Sequence, residues 1–193
     1  MTREAAQMPQ TQLKVDVTES DRARLAELLG ETNVDRTIQL ILTAGAAEAI
    51  AYATGAAVFS TMTDLRMYRV YRLLVAGMTM DESETLVATL FKLTDAGARR
   101  VVASTLARYR YELDSLATSA LRDRLEHPSW DPEAERWEIM LPAGFVRERA
   151  QRMWRAGDKP NPESKRGAVW AFPTETLNGL RSQLGLNEVT EPE

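Results

Sequence analysis

Hydrophobic and polar positions divide the chain into segments with different periods. Leu13, Val15 and Val17 alternate with Gln12, Lys14 and Asp16, the period-2 pattern of a short half-buried strand. Thr18 opens a helix-start region with acids behind it, and Leu25, Leu28 and Leu29 then recur at helical spacing until Gly30, a natural stop. The residues from Asn33 to Asp35 offer a second start. Behind them Ile38, Ile41, Leu42, Gly45, Ala49 and Ile50 predict a helix that Gly55 ends or bends.

The stretch 63–127 reads as helical throughout. Met67, Val70 and Leu74 share one face of a helix closing near Gly77, and the turn Thr79–Asp81 starts another that carries Leu86, Leu90 and Leu93. Thr94 and Asp95 cap a third, long helix, with Val101, Val102, Leu106, Tyr109, Leu113, Leu116 and Leu121 on its apolar side. Helices of this length form a bundle with their neighbours.

At His127-Pro128-Ser129 the texture changes. Trp137, Ile139 and Leu141 alternate and predict a strand, and Phe145, Val146, Ala150, Met153 and Trp154 mark the buried side of a following helix. Residues 158–166 read as a loop, 168–172 as a second strand, and Thr174 as the cap of a last helix through Leu177, Leu180 and Leu184. The expected fold is therefore mainly α. It has a flexible tail (1–11), a strand-helix-helix unit (12–56), a helical bundle (57–128), a small α+β region (129–187) and an acidic tail (188–193).

Residues 12–53 resemble the ribbon-helix-helix family of DNA-binding proteins. The likeness is carried by the strand QLKVDV, the helix DRARLAELLG and the second helix opening NVDRTIQLIL. It implies a homodimer whose paired strands enter a DNA major groove, with Leu13, Val15 and Val17 turned to the helices and Gln12, Lys14 and Asp16 turned to base edges. It also implies that the helix start at Asn33, Val34 and Asp35 offers backbone N–H groups to a phosphate. Arg66, Arg69 and Arg72, interleaved with Tyr68 and Tyr71, are a candidate for further contacts to the DNA backbone. The same pattern also describes a solvated helix face.

Composition narrows the chemistry. The 193 residues include no Cys and one His, so thiolate metal sites, disulfides and Cys nucleophiles are excluded, and His-based triads have almost nothing to be built from. No catalytic constellation, cofactor motif or metal ligand set stands out; Asp81, Glu82 and Glu84 read as first-turn acids, and His127 as a helix-terminal residue. The net charge of −4 is unlike that of a uniformly basic nucleic-acid coat. Further arginines (Arg99, Arg100, Arg108 and Arg110; Arg147, Arg149, Arg152 and Arg155) are diluted by nearby acids and read as salt-bridged surfaces. The four tryptophans, all beyond residue 129, read as a small C-terminal core.

The most apolar stretch, 37–63, holds Glu48 and is rich in Ala, Gly and Thr, so it reads as a buried helix rather than a membrane span. Without a secretory leader pattern, the expectation is a cytoplasmic protein, with a composition of bacterial type. Two functions fit: a homodimeric DNA-binding regulator whose C-terminal region oligomerises or holds a partner or effector, or a non-enzymatic helical assembly protein whose N-terminal strand mediates oligomerisation.

Overall fold

Threonines set the starts of four of the helices. In the computed structural model, which describes residues 16–29, 34–155, 165–166 and 169–192, Thr61 precedes α3 (Met62–Ala76) and its hydroxyl accepts from the Asp64 N–H. Thr79 precedes α4 (Met80–Phe91) in a reciprocal capping box with Glu82, and Thr94 precedes α5 (Asp95–Arg108), accepting from the Gly97 N–H. Thr18 does the same for α1 (Glu19–Leu29), accepting from the Asp21 N–H at 3.1 Å. The second predicted helix is α2 (Val34–Ala53), and α6 spans Arg110–Glu126, with His127 at its C-terminal cap. α3 closes at Gly77, whose φ of 110° places it in the left-handed region that favours glycine.

Apolar faces then sort these helices. Val70 and Leu74 of α3 meet Val87 of α4, Val102 of α5 and Leu113 of α6 in the bundle core, each at most 2 % exposed. Burying side chains of this size stabilises by about 1.5–3 kcal/mol each. α2 packs on the bundle through Leu40, Ile41 and Ala44, against Leu73, Met78 and Leu86.

The C-terminal region is a four-stranded antiparallel sheet in the order β1-β2-β4-β3, formed by β1 (Ser129–Asp131), β2 (Arg136–Met140), β3 (Lys165–Arg166) and β4 (Val169–Phe172). Register sets Trp137 opposite both Trp130 and Phe172, and Ile139 opposite Trp170. These residues share a core with Leu121 and Leu125 of α6, with Ala150 of α7 (Phe145–Arg155), and with Leu177 and Leu180 of α8 (Thr174–Gln183). The bundle and the sheet are thus joined by α6. They are joined again by α7, whose Phe145 belongs to the bundle core.

The turn after α3 carries this second joint. Phe145 N–H donates to the Met78 carbonyl at 3.1 Å, and Glu148 accepts from the Met80 N–H at 3.0 Å. From the other side Arg36 of α2 donates to the Gly77 carbonyl at 2.8 Å and to the Glu82 carboxylate. The two acids at this turn respond oppositely to their surroundings. Burial lifts Glu148 above its ordinary value, reinforced by the charges of Asp81 and Glu82 and opposed by the Met80 N–H and Arg152. Burial also works against ionised Glu82, but the Thr79 N–H and hydroxyl and Arg36 outweigh it and lower its pKa.

The sign for stability follows. Ionised Glu148 costs stability at neutral pH, increasingly as pH rises from its unfolded value through its folded one. The contribution of Glu82 is present above its unfolded value and is lost as pH falls through its folded one. Glu148→Gln is therefore expected to melt higher than the wild type at pH 7, and the difference should vanish below about pH 4, where both chains carry a neutral side chain. Thermal melts across this range test it; an equal or lower melting temperature at pH 7 refutes the assignment.

Several expectations are corrected. Asp16 and Val17 belong to no strand, while the rest of the predicted strand (Gln12, Leu13, Lys14 and Val15) lies outside the described residues, as do Gly30 and Asn33. The side chains of Leu28, Leu29, Met153 and Trp154 are likewise outside those described. The single long helix from Asp95 is two, because Tyr109 leaves helical geometry (φ −102°, ψ 28°) while its ring stacks on Tyr71 at 4.4 Å. A strand the alternation missed, β1, begins at Ser129, where Trp130 packs edge-on against Trp137. The end of the predicted loop 158–166 forms β3.

Thr174 is the first residue of α8, not its cap. Its hydroxyl instead accepts from the Trp137 indole and donates to Glu191. Residues beyond α8 are docked: Val189 packs on the sheet core and exchanges two hydrogen bonds with the Asn178 side chain.

Candidate docking groove

α2 is apolar on more sides than its own chain covers. Thr37, Leu40, Ile41 and Ala44 face the bundle, whereas Gly45, Ala49, Ile50, Tyr52 and Ala53 are exposed. Beside the covered strip, α2, α3 and α4 border a groove of about 580 Å³. Gly45 and Ala49 form its α2 wall, Leu73 and Leu86 line it from α3 and α4, and Phe59 and Leu90 also border it. A Cβ on Gly45 would meet nothing within 4 Å, so the small residues widen the groove rather than pack against a neighbour.

The charged groups of the groove form one ion pair. Arg69 Nε donates to both carboxylate oxygens of Glu48 at 3.0 Å. Glu48, the one charge in the apolar stretch 37–63, is thereby neutralised within the chain. Of its lining, Tyr52 and Leu90 are each more than half exposed, as are Ile50 elsewhere on α2, Val58 in the segment that follows and Met62 at the start of α3. Only Tyr111 and Met140 among the described large apolar residues share that degree of exposure. Apolar exposure gathered in this way marks an interaction surface, whereas the same residues scattered singly would not.

The candidate DNA-facing residues are placed differently. Asp16 is exposed and outside any element. Val34 and Asp35 open α2 as predicted, but Asp35 pairs with Arg22 of α1 at 2.5 Å, and its negative charge sits where a phosphate would approach. Gln12, Lys14 and Asn33 lie outside the described residues. Arg66, Arg69 and Arg72 do not make a free basic face. Arg69 is held by Glu48, Arg66 lies over the Phe91 ring at 5.2 Å, and Arg72 lies near the Tyr71 ring at 5.9 Å. The reason is packing: α3 is flanked by α2, α4 and α5, so the side of the helix carrying these arginines meets neighbours.

The remaining arginines divide between acids and other partners. Arg108 pairs with Asp64 at 2.5 Å, Arg149 with Asp114 at 2.5 Å and Arg99 with Glu84 at 3.8 Å. Among the described residues no three His, Cys, Asp or Glu side chains are grouped to hold a metal ion, and no helix is long and apolar enough to cross a membrane. The chain was compared with protein-family models, with curated proteins and with solved structures, and none matches.

The groove has no separate mark in the sequence: the run of Ala and Gly in α2 that lines it is the same run that predicts a buried helix.

Proposed function

We propose that the protein is a non-enzymatic helical interaction protein that self-associates in the cytoplasm, with α2 of a second copy covering the groove. The observation that carries this is the uncovered apolar side of α2. Along the groove side of α2, Ile41, Gly45, Glu48 and Tyr52 follow one another at spacings of four, three and four, as in helices that pack side by side, and the small Gly45 and Ala49 let two such helices approach closely. A two-fold contact sets the same surface against itself, so a charged groove would bring like charges together. Here the Glu48–Arg69 pair cancels the charge within each copy.

The test is light scattering on the purified chain beside Ala49→Arg. Ala49 is exposed, so the variant is expected to keep the melting temperature and helical circular dichroism of the wild type. The wild type should run as a dimer at micromolar concentration and the variant as a monomer. A monomeric wild type, or a variant that stays dimeric, overturns the proposal.

A second reading is the DNA-binding regulator. It is favoured by α1 and α2 standing in the order that the ribbon-helix-helix resemblance implies, with one side of α2 open for a partner. Selection of genomic DNA fragments across a salt series tests it. Recovery of a short repeated site, lost on Lys14→Ala, supports it, and nothing above background at low salt refutes it.

A further inference from the structure

Outside the groove, one cleft combines guanidinium groups with an apolar floor. It lies among α5, α6 and α7 and has a volume of about 280 Å³, at the small end of ligand sites. Its accessible apolar lining is Met80, Leu106 and Ala107, with Leu113 and Phe145 buried beneath. Arg110 and Asp114 reach it from the start of α6, and Arg149 and Arg152 from α7.

The charges do not balance locally. Asp114 Oδ1 takes both close contacts from Arg149, at 2.6 Å from Nε and 2.5 Å from Nη2. Arg110 Nε stands 3.7 Å from the other oxygen, too far for a hydrogen bond. Arg152 directs Nη2 at the Met80 sulfur, 3.2 Å away, and a thioether is a weak acceptor. The nearest other acid on α7, Glu148, is engaged with the Met80 N–H. Three guanidinium groups thus share one carboxylate at the cleft: Arg149 binds Asp114 closely, Arg110 pairs with it more loosely at 3.7 Å, and Arg152, whose charge also acts on Glu148, hydrogen-bonds to neither acid.

We infer that this cleft binds a small amphipathic organic anion, a carboxylate on a short hydrocarbon body. The carboxylate would lie between Arg110 and Arg152, in the planar geometry that guanidinium groups recognise, and the body against Leu106 and Ala107. Asp114 at the same cleft disfavours a dianion such as a phosphate monoester, so a single negative charge fits better. The site would make the protein responsive to a metabolite, separately from whatever covers α2.

Calorimetric titration of the full chain with 3-phenylpropionate tests this, with 3-phenylpropanamide as the neutral isostere and acetate as the charge without the body. Saturable one-to-one binding of 3-phenylpropionate is expected, roughly tenfold tighter than that of either control. The double variant Arg110→Gln/Arg152→Gln, whose side chains sit at the surface, should melt like the wild type and bind roughly tenfold more weakly or worse. Equal binding of the amide, unchanged binding in the double variant, or no saturable binding by folded wild type up to about 10 mM would each overturn the inference.

Discussion

Gly144→Ala is expected to destabilise the chain by about 3 kcal/mol or more, among the largest effects a single methyl group can have. A Cβ built on Gly144 would lie 1.7 Å from the Gly77 carbonyl oxygen and 2.4 Å from its carbon. Both atoms are backbone and cannot rotate away. Gly144 also has φ of 81°, which a side chain tolerates poorly. Relief requires α7 to move off the turn after α3, which breaks the Phe145 and Glu148 hydrogen bonds to that turn and lifts Phe145 from the bundle core. Gly77→Ala is the control. Its Cβ would meet only Leu40 Cδ2, at 3.8 Å, so the cost reduces to the positive φ, about 1–2 kcal/mol. Urea denaturation of both variants checks the pair, and two midpoints displaced equally would contradict the packing described.

Arg181→Ala comes next, at roughly 2–4 kcal/mol. Arg181 is 6 % exposed, and its guanidinium serves carbonyls rather than a carboxylate. Nη1 donates to the Leu125 carbonyl in the last turn of α6, and Nε donates to the Asn187 carbonyl at 2.6 Å. The last carbonyls of a helix have no partner within it, and this one is buried. Truncation leaves both oxygens without their donor and opens space beside Leu180. Arg181→Lys keeps the charge but not the fork, and should recover part of the loss. A melting temperature for Arg181→Ala within a degree of the wild type would show that the guanidinium is dispensable.

Much of the fold was legible where one residue type has one physical use. Thr79 and Thr94 announced helix starts because a hydroxyl there satisfies an N–H that the helix cannot. Gly77 announced a stop because the left-handed region suits it. Trp137 and Ile139 announced a strand because their alternation has a single reading. The misplaced features depend on neighbours distant in sequence. The break at Tyr109 is invisible to periodicity, since Leu106 and Leu113 keep helical spacing across it, while the bundle core ends with Leu113 and the sheet core begins with Leu121. Leu90 repeats with Leu86 and Leu93 at near-helical spacing, yet Leu86 is buried while Leu90 borders the groove and is 56 % exposed. For the same reason the groove itself could not be read: covered and uncovered sides of α2 are written in the same Ala, Ile and Leu. Arg69 read as part of a basic face, and nothing in the local sequence named Glu48 as its partner.

The turn between α3 and α4 has a consequence for the order in which the protein is made. Met80 bonds to a residue 68 positions later in the chain, and Phe145, which completes the bundle core, is separated from Val70 and Leu74 by most of the bundle itself. A growing chain that has been translated only through α6 already contains six helices. It still lacks Phe145, which packs in the core of α3–α6, and the partners of Met78 and Met80. Closure of so long a loop costs entropy before any contact repays it. The bundle should therefore remain expanded during synthesis and reach its final packing only after α7 has been released, so a nascent chain stalled after residue 128 would be open to protease where the finished protein is not.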